Sequence, residues 1–248
     1  MPTHQALLRV SSAVLFISSE SGGFGGVNEI AQRPPNIVLV TDRAFCDDII
    51  MRCVHAVAVA LPYGALAVQL RDKSRPLPSL RLFALQLRDA TRRLGAFLVI
   101  NGDPHLARDV DADGIHLGRG QVSVRQARAI CRPGTWVSVA AHSDDEVCRA
   151  REDGADAALV SPIFATRSAS PLGVNAMRKQ PRGVTALRSA RDAAGAGVRL
   201  YALGGITVDR AIACKNAGAD GVAVIRALLC ADDPARVARG LFAAWGRC

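Results

Sequence analysis

The sequence is poor in lysine, in aromatic residues and in long apolar runs. Only three of its 31 basic residues are lysine, and aromatic residues make up 4% of the chain. No apolar run reaches the roughly 18 residues that a membrane-spanning helix needs. No basic run is interleaved with aromatic residues, as a nucleic-acid-binding surface would require. We therefore expect neither a membrane partner nor a nucleic-acid partner. The net charge of +9 fits an anionic ligand, or simply a coding bias towards arginine.

Cysteine pairs with metal-binding spacing are also missing. The seven cysteines are scattered, odd in number and form no Cys-x-x-Cys. This pattern favours reduced thiols over a disulfide framework or a zinc site. Residues 6–18 include a short apolar stretch, but Arg9 interrupts them and no convincing cleavage site follows. We therefore expect a cytoplasmic protein without a signal peptide.

What the chain does contain is a repeated unit of apolar run, turn, helical stretch and second apolar run. The unit is clearest at residues 99–118 and 203–225. Strand, helix and strand in so short a span form a parallel βαβ unit. The pattern predicts eight strands, at residues 37–41, 65–70, 97–100, 114–117, 136–140, 157–161, 199–202 and 221–225. Eight strand–helix pairs in about 250 residues predict an α/β fold, a single (β/α)8 TIM barrel.

Two segments lie outside this regular pattern. Residues 1–35 contain the Gly- and Ser-rich run SSESGGFGG, so we assign them to a flexible N-terminal extension and residues 36–248 to the barrel. About 20 residues separate the sixth strand from the next helix, whereas βα loops usually have about two to six. A long loop on the ligand-binding face predicts a substrate loop.

Polar and glycine residues follow the predicted strands, at the face where parallel barrels bind ligands. After the second strand, Gln69, Arg71 and Lys73 alternate along the chain, and an extended segment would point them to one side as an anion clamp. Glycine N–H groups and helix N-termini favour phosphate. The expected phosphate site, after the seventh and eighth strands, consists of Gly204, Gly205, Val224, Ile225 and Arg226.

Two histidines lie on or directly after predicted strands. His142 follows the fifth strand, where it is a candidate general acid or base. A helix-capping or core histidine is the alternative for this position. His116 lies inside the fourth strand, and we expect it to pack within the barrel.

Together these segments resemble the thiamine phosphate synthase/TenI superfamily of barrels. The matching segments, in order, are VLVTDR (38–43), QLRDK (69–73), INGDPHLA (100–107), ADGIHLG (112–118), AHS (141–143), SPIFAT (161–166), LGGIT (203–207) and AGADGVAVI (217–225). The resemblance implies that small phosphorylated thiamine precursors are the ligands. The substrate-binding residues it carries over are Gln69, Arg71, Lys73, Asn101, Thr166 and the Gly204-Gly205 loop, with Ser168 in place of a second threonine.

The chain departs from the synthase pattern on one half of the site. In synthases, two aspartates ligate the Mg²⁺ that neutralises the pyrophosphate leaving group, and Gly102 and Gln121 stand at those positions. Ala140 replaces a serine and Ala169 replaces a lysine. The related thiazole tautomerases also carry Asn-Gly at this point. They use a histidine equivalent to His142 to move a proton on a carboxythiazole phosphate, without a metal.

We therefore expect a thiazole tautomerase-like isomerase without a cofactor, in which His142 is the acid–base group and Arg71 pairs with the substrate carboxylate. One alternative is a thiamine phosphate synthase, a transferase, that joins hydroxymethylpyrimidine pyrophosphate to thiazole phosphate with an altered Mg²⁺ site. Tautomerases need not keep Gln69 and Lys73, and this chain keeps both. Another alternative is a non-catalytic protein that binds a thiamine precursor. A homo-oligomer is compatible with the sequence, which does not fix the oligomeric state.

Overall fold

The strands of the protein match the predicted ones to within one residue at every end. The structure, a computed structural model, describes residues 34–166 and 180–246. Its strands β1 to β8 are, in chain order, Ile37–Val40, Leu66–Leu70, Phe97–Asn101, Gly114–Leu117, Trp136–Ala141, Ala157–Val160, Arg199–Leu203 and Gly221–Val224. Each is a short apolar run bounded by turn-forming residues, which is why the sequence pattern located them.

Helices alternate with these strands. Helices α1 to α9 of the described residues are Asp47–Ala60, Leu77–Leu94, Pro104–Asp109, Val124–Ile130, Asp144–Glu152, Thr185–Ala194, Val208–Asn216, Arg226–Leu229 and Pro234–Ala243. The short helix α8 follows β8 directly and was not predicted as a separate element. No helix in the described ranges combines the length and apolarity that crossing a membrane would require.

The sheet closes on itself into a barrel. All strand pairs are parallel and follow chain order, and β1 pairs with both β2 and β8. Ile37, for example, lies opposite Leu66 on one side and Val222 on the other. The predicted TIM barrel is confirmed, and the carboxyl ends of all eight strands therefore meet at one end, which we call the mouth.

The core has two layers because successive strand residues point to opposite faces. One layer fills the inside of the barrel, and its buried members are Val38, Val40, Ala67, Val99, Ala157, Leu159, Tyr201 and Ala223. The larger layer lies between the strands and the helices. At the end opposite the mouth, the Tyr201 hydroxyl donates to the Pro35 carbonyl at 2.5 Å.

Asp or Ser at the start of a helical stretch predicts an N-terminal cap, which the sequence offers at Asp47, Ser123, Asp144 and Asp233. The structure agrees at two of these four positions. Ser123 and Asp233 are N-caps, and Ser123 forms a capping box with Gln126. Asp47 and Asp144 are wrong as caps, because each is the first helical residue. Ser143 caps α5 instead, and no side chain caps α1.

Three Arg–Asp pairs support the end of the barrel opposite the mouth. Each aspartate directly precedes an even-numbered strand and accepts a backbone N–H from the odd-numbered strand before it. It also pairs with an arginine of the helix that precedes that odd-numbered strand. The three sets are Asp113 with Leu98 and Arg88, Asp156 with Val137 and Arg128, and Asp220 with Leu200 and Arg191. The dipeptide Ala-Asp recurs before β4, β6 and β8 in the sequence because each of these aspartates makes the same two contacts.

Candidate active site

The centre of the mouth is lined by two amides. Gln69 points into the barrel from the end of β2 and is 3% exposed. Its Nε2 donates to Asn101 Oδ1, at the end of β3, over 3.1 Å. This bond fixes the orientation of both side chains, and leaves Gln69 Oε1 and the amide nitrogen of Asn101 for a ligand.

The anion clamp forms only in part. Arg71 follows β2, and its backbone N–H donates to Thr41 Oγ1 at 2.8 Å, which ties the ends of β1 and β2 together. The expected alternation does not reach Lys73, because the chain bends at residues 73–75. Asp72 causes the bend, since its Oδ1 accepts the N–H groups of Ser74 and Arg75. Arg71 and Lys73 are both exposed at the mouth.

His142 lies at the mouth with one ring nitrogen engaged. Its Nδ1 lies 2.7 Å from the backbone carbonyl oxygen of Ser161, at the end of β6. A carbonyl oxygen only accepts, so Nδ1 carries the proton in this bond, and in the neutral ring Nε2 is the basic nitrogen. The half-buried ring is thus held in one tautomer, which suits a general base.

Glu146 joins His142 to the loop after β4. Its Oε2 accepts the backbone N–H of His142 at 2.6 Å, and its Oε1 contacts the guanidinium of Arg119. Burial opposes ionisation, but the hydrogen bond from His142 and the charge of Arg119 outweigh it, and the pKa of Glu146 is lowered. Sequence reasoning missed this group, although Ser143-x-x-Glu146 has the spacing of a capping box.

Gly102 and Gln121 stand next to each other, at the positions of the two family aspartates. Gly102 has a φ of +87°, and a β-carbon built on it would collide with the Gln121 amide. The Oε1 of Gln121 accepts the backbone N–H of Gly118. This corner of the mouth therefore contains a neutral amide, whose oxygen accepts one backbone hydrogen bond, in place of two carboxylates. Within residues 34–166 and 180–246, no group of His, Cys, Asp or Glu is arranged to hold a metal ion.

The glycine pair after β7 has the geometry of an anion-binding turn. Gly204 and Gly205 have φ values of +102° and +63°. Their carbonyls accept from Phe164 and Arg210, whereas no described residue accepts a hydrogen bond from either glycine N–H. Consecutive free N–H groups on such backbone form a concave site for phosphate oxygens.

The other expected phosphate residues lie beside this pair. Val224 ends β8, Ile225 precedes α8 and Arg226 begins it. Because Leu203 pairs with Ala223, the ends of β7 and β8 adjoin. Thr166 is exposed at the start of the loop after β6, and Ser168 and Ala169 lie outside the described residues.

His116 is a further polar group inside the barrel, as its position in β4 predicted. It is 6% exposed, and its Nδ1 lies 2.9 Å from Ser138 Oγ. Burial, reinforced by the positive charge of Arg71, lowers its pKa to about 4. The ring is therefore neutral at physiological pH and lies beneath the mouth, beside Asn101, its partner residue in β3.

Comparisons with known proteins show the family to which the chain belongs. A family model described as thiamine monophosphate synthase matches residues 37–228. Thiamine-phosphate synthases of Chloroflexus aurantiacus and Moorella thermoacetica are 36% and 38% identical, over 75% and 73% of this chain and 82% and 83% of theirs. The solved thiamine phosphate pyrophosphorylase of Pyrococcus furiosus superposes with a TM-score of 0.70 and 26% identity, over 84% of this chain and 94% of that one. The chain therefore belongs to the thiamine monophosphate synthase family of thiamine biosynthesis.

Proposed function

We propose that the protein joins hydroxymethylpyrimidine pyrophosphate to thiazole phosphate and so makes thiamine phosphate. The observation that carries this proposal is the Gln69–Asn101 hydrogen bond, with Arg71 and Lys73 above it at the mouth. The resemblance assigns these four residues to synthases, and a tautomerase need not keep Gln69 and Lys73. The relatives named above are synthases too, so they favour this reaction over the tautomerase expected from the sequence.

The residues of the mouth divide between the two substrates. The free N–H groups of Gly204 and Gly205 hold the phosphate of the thiazole. The amides of Gln69 and Asn101 present donors and acceptors to the rings. In the reaction, the thiazole nitrogen forms a bond to the pyrimidine methylene carbon, and the carbon–oxygen bond to pyrophosphate breaks. The electron pair of that bond leaves with pyrophosphate, and no proton is transferred.

The Mg²⁺ of the synthase pattern does not fit the residues present. Mg²⁺ requires oxygen ligands in near-octahedral geometry and is usually held by one or two carboxylates. Gly102 offers no ligand, and the amide oxygen of Gln121 is bonded to the Gly118 N–H. A carboxylate side chain at residue 102 would meet the Gln121 amide. These two residues therefore do not form the Mg²⁺ site of the synthase pattern.

Thiazole tautomerisation is a second candidate reaction, favoured by the same corner and by His142. The neutral Gly102–Gln121 pair resembles the tautomerase pattern. The bond from His142 Nδ1 to the Ser161 carbonyl leaves Nε2 able to take a proton. Arg71 would then pair with the carboxylate of the carboxythiazole. A positioned acid–base group contributes about 10²–10⁴-fold in rate.

One pair of assays separates the candidates. Purified protein is supplied with thiazole phosphate and pyrimidine pyrophosphate, and separately with the carboxythiazole phosphate tautomer. We expect thiamine phosphate in the first assay. Tautomer conversion alone, lost in both His142→Ala and His142→Gln, would establish the second candidate instead, because an amide cannot shuttle protons. If neither assay shows turnover but thiazole phosphate binds by calorimetry, the chain is a non-catalytic binder.

A further inference from the structure

The proposed reaction places a multiply charged pyrophosphate at a corner without carboxylate ligands. As the carbon–oxygen bond breaks, negative charge develops on the leaving oxygen, and a nearby cation lowers the barrier. Where a protein holds Mg²⁺, the metal supplies that charge. Gly102 and Gln121 offer it no carboxylate, which leaves the positively charged side chains of the mouth, Arg71, Lys73 and Arg119, to supply that charge.

Arg119 is placed to supply it. It follows Gly118 directly after β4, two residues before Gln121, in the same loop. Its guanidinium contacts Glu146, whose other oxygen accepts the His142 N–H. The guanidinium therefore lies on the β5 side of the loop after β4, and the backbone of this loop carries both Arg119 and Gln121. The side chain is 71% exposed, so a ligand entering the mouth can reach it.

We infer that Arg119 binds the pyrophosphate group directly and replaces a carboxylate-held metal at this corner. The inference rests on the proposed function. An arginine presents paired N–H donors that match two phosphate oxygens, and its charge is permanent near neutral pH.

The contact with Glu146 does not prevent this role. The Arg119 side chain is mostly exposed, so water weakens its attraction to Glu146 and pyrophosphate can displace the carboxylate from the guanidinium. Glu146 then keeps its hydrogen bond from His142 and stays at the edge of the site. Before pyrophosphate binds, Glu146 holds the Arg119 guanidinium at the mouth. When pyrophosphate enters, Glu146 competes with it for this guanidinium.

The test is the binding of inorganic pyrophosphate, measured by calorimetry in EDTA. We expect wild-type protein to bind pyrophosphate without a divalent cation, and Arg119→Ala to weaken binding at least tenfold. Arg119→Lys should retain part of the affinity. Glu146→Gln should tighten binding, because it removes both a competing partner and a negative charge.

The matched control is Arg93→Ala. Arg93 is 72% exposed, pairs with Asp89 and lies in the last turn of α2, at the opposite end of the barrel. Its removal changes the net charge equally and should leave binding unchanged. The inference fails if pyrophosphate binds only with Mg²⁺, or if Arg119→Ala binds like Arg93→Ala. Pyrophosphate binding is measured without turnover, so its result is independent of the result of the synthase assay.

Discussion

The amide of Gln121 occupies the space that a side chain on Gly102 would fill. A side chain at residue 102 therefore requires the Gln121 amide to move. While Gln121 keeps this position, the corner has no room for a carboxylate side chain at residue 102.

The first prediction restores the carboxylates. Gly102→Asp alone should lower the free energy of unfolding by about 1–2 kcal/mol, because it adds a clash and places a side chain at positive φ. In Gly102→Asp with Gln121→Asp, the clash is removed and two carboxylates face each other. We expect this double variant to bind Mn²⁺ in an electron paramagnetic resonance titration. Equal Mn²⁺ affinity of the wild type would contradict the description of this corner.

The second prediction concerns the phosphate loop. A β-carbon on Gly205 would lie 2.6 Å from the Ala165 carbonyl oxygen and 2.8 Å from Phe164 Cβ. Gly205→Ala should displace the loop and weaken inorganic phosphate binding at least tenfold in calorimetry. Gly195→Ala is the control, since Gly195 has a similar φ of +58° with nothing within 4 Å of its β-carbon. Equal phosphate affinities of the two variants would show that phosphate binds at a different place.

The third prediction is a pH dependence of stability caused by His116. Its pKa is about 4 in the folded protein, against about 6.5 in the unfolded chain. Between these values the unfolded state binds more protons, so stability falls as pH is lowered, by about 3 kcal/mol in total. Urea unfolding from pH 7 to pH 4 should show this loss. His116→Gln should reduce the pH dependence of the free energy of unfolding, whereas replacement of the exposed His105 should not.

The fourth prediction compares two of the Arg–Asp pairs. The Arg88 side chain is 8% exposed and pairs with Asp113, whereas Arg128 and Asp156 are 39% and 40% exposed. Asp113→Asn leaves a buried guanidinium without its counter-charge and should cost about 3 kcal/mol. Asp156→Asn should cost about 1 kcal/mol or less, because water screens that pair. Urea unfolding of both variants measures the difference, and equal costs would refute this ranking.

The fifth prediction concerns where the N-terminal extension can be cut. Deleting residues 1–33 leaves the Pro35 carbonyl that accepts the Tyr201 hydroxyl, and deleting residues 1–35 removes it. The longer deletion should lower the free energy of unfolding by about 1 kcal/mol relative to the shorter one. In a Tyr201→Phe background the two deletions should be equally stable. A difference that persists there would exclude this hydrogen bond as its cause.

The barrel was predictable from the sequence because each strand is a short buried run, and turn residues separate it from its helix. Local side-chain chemistry was harder to anticipate. Lys73 leaves the expected alternation because the Asp72 side chain bonds two backbone N–H groups and turns the chain. Asp47 and Asp144 were misassigned as caps because an acidic first turn and an acidic cap are alike in sequence.

The candidate site was predictable as a set of residues but not as a set of contacts. Gln69, Asn101 and His142 were found because they follow strands. The overlap of Gln121 with Gly102 depends on the sign of φ at residue 102, which the sequence does not specify. The bridge from Arg119 through Glu146 to His142 includes residues 27 positions apart, and the pairing of β4 with β5 brings them together.

The three Arg–Asp pairs lie at the end of the barrel away from the mouth, and none involves Gly102, Gln121 or Ala140. The residues in which this chain departs from the synthase pattern are therefore separate from the groups that hold the strands in register. A lineage with this architecture can exchange carboxylate, hydroxyl and amide groups around the substrates without breaking any of these three pairs. Substitutions that alter the reaction at the mouth therefore leave the opposite end of the barrel intact.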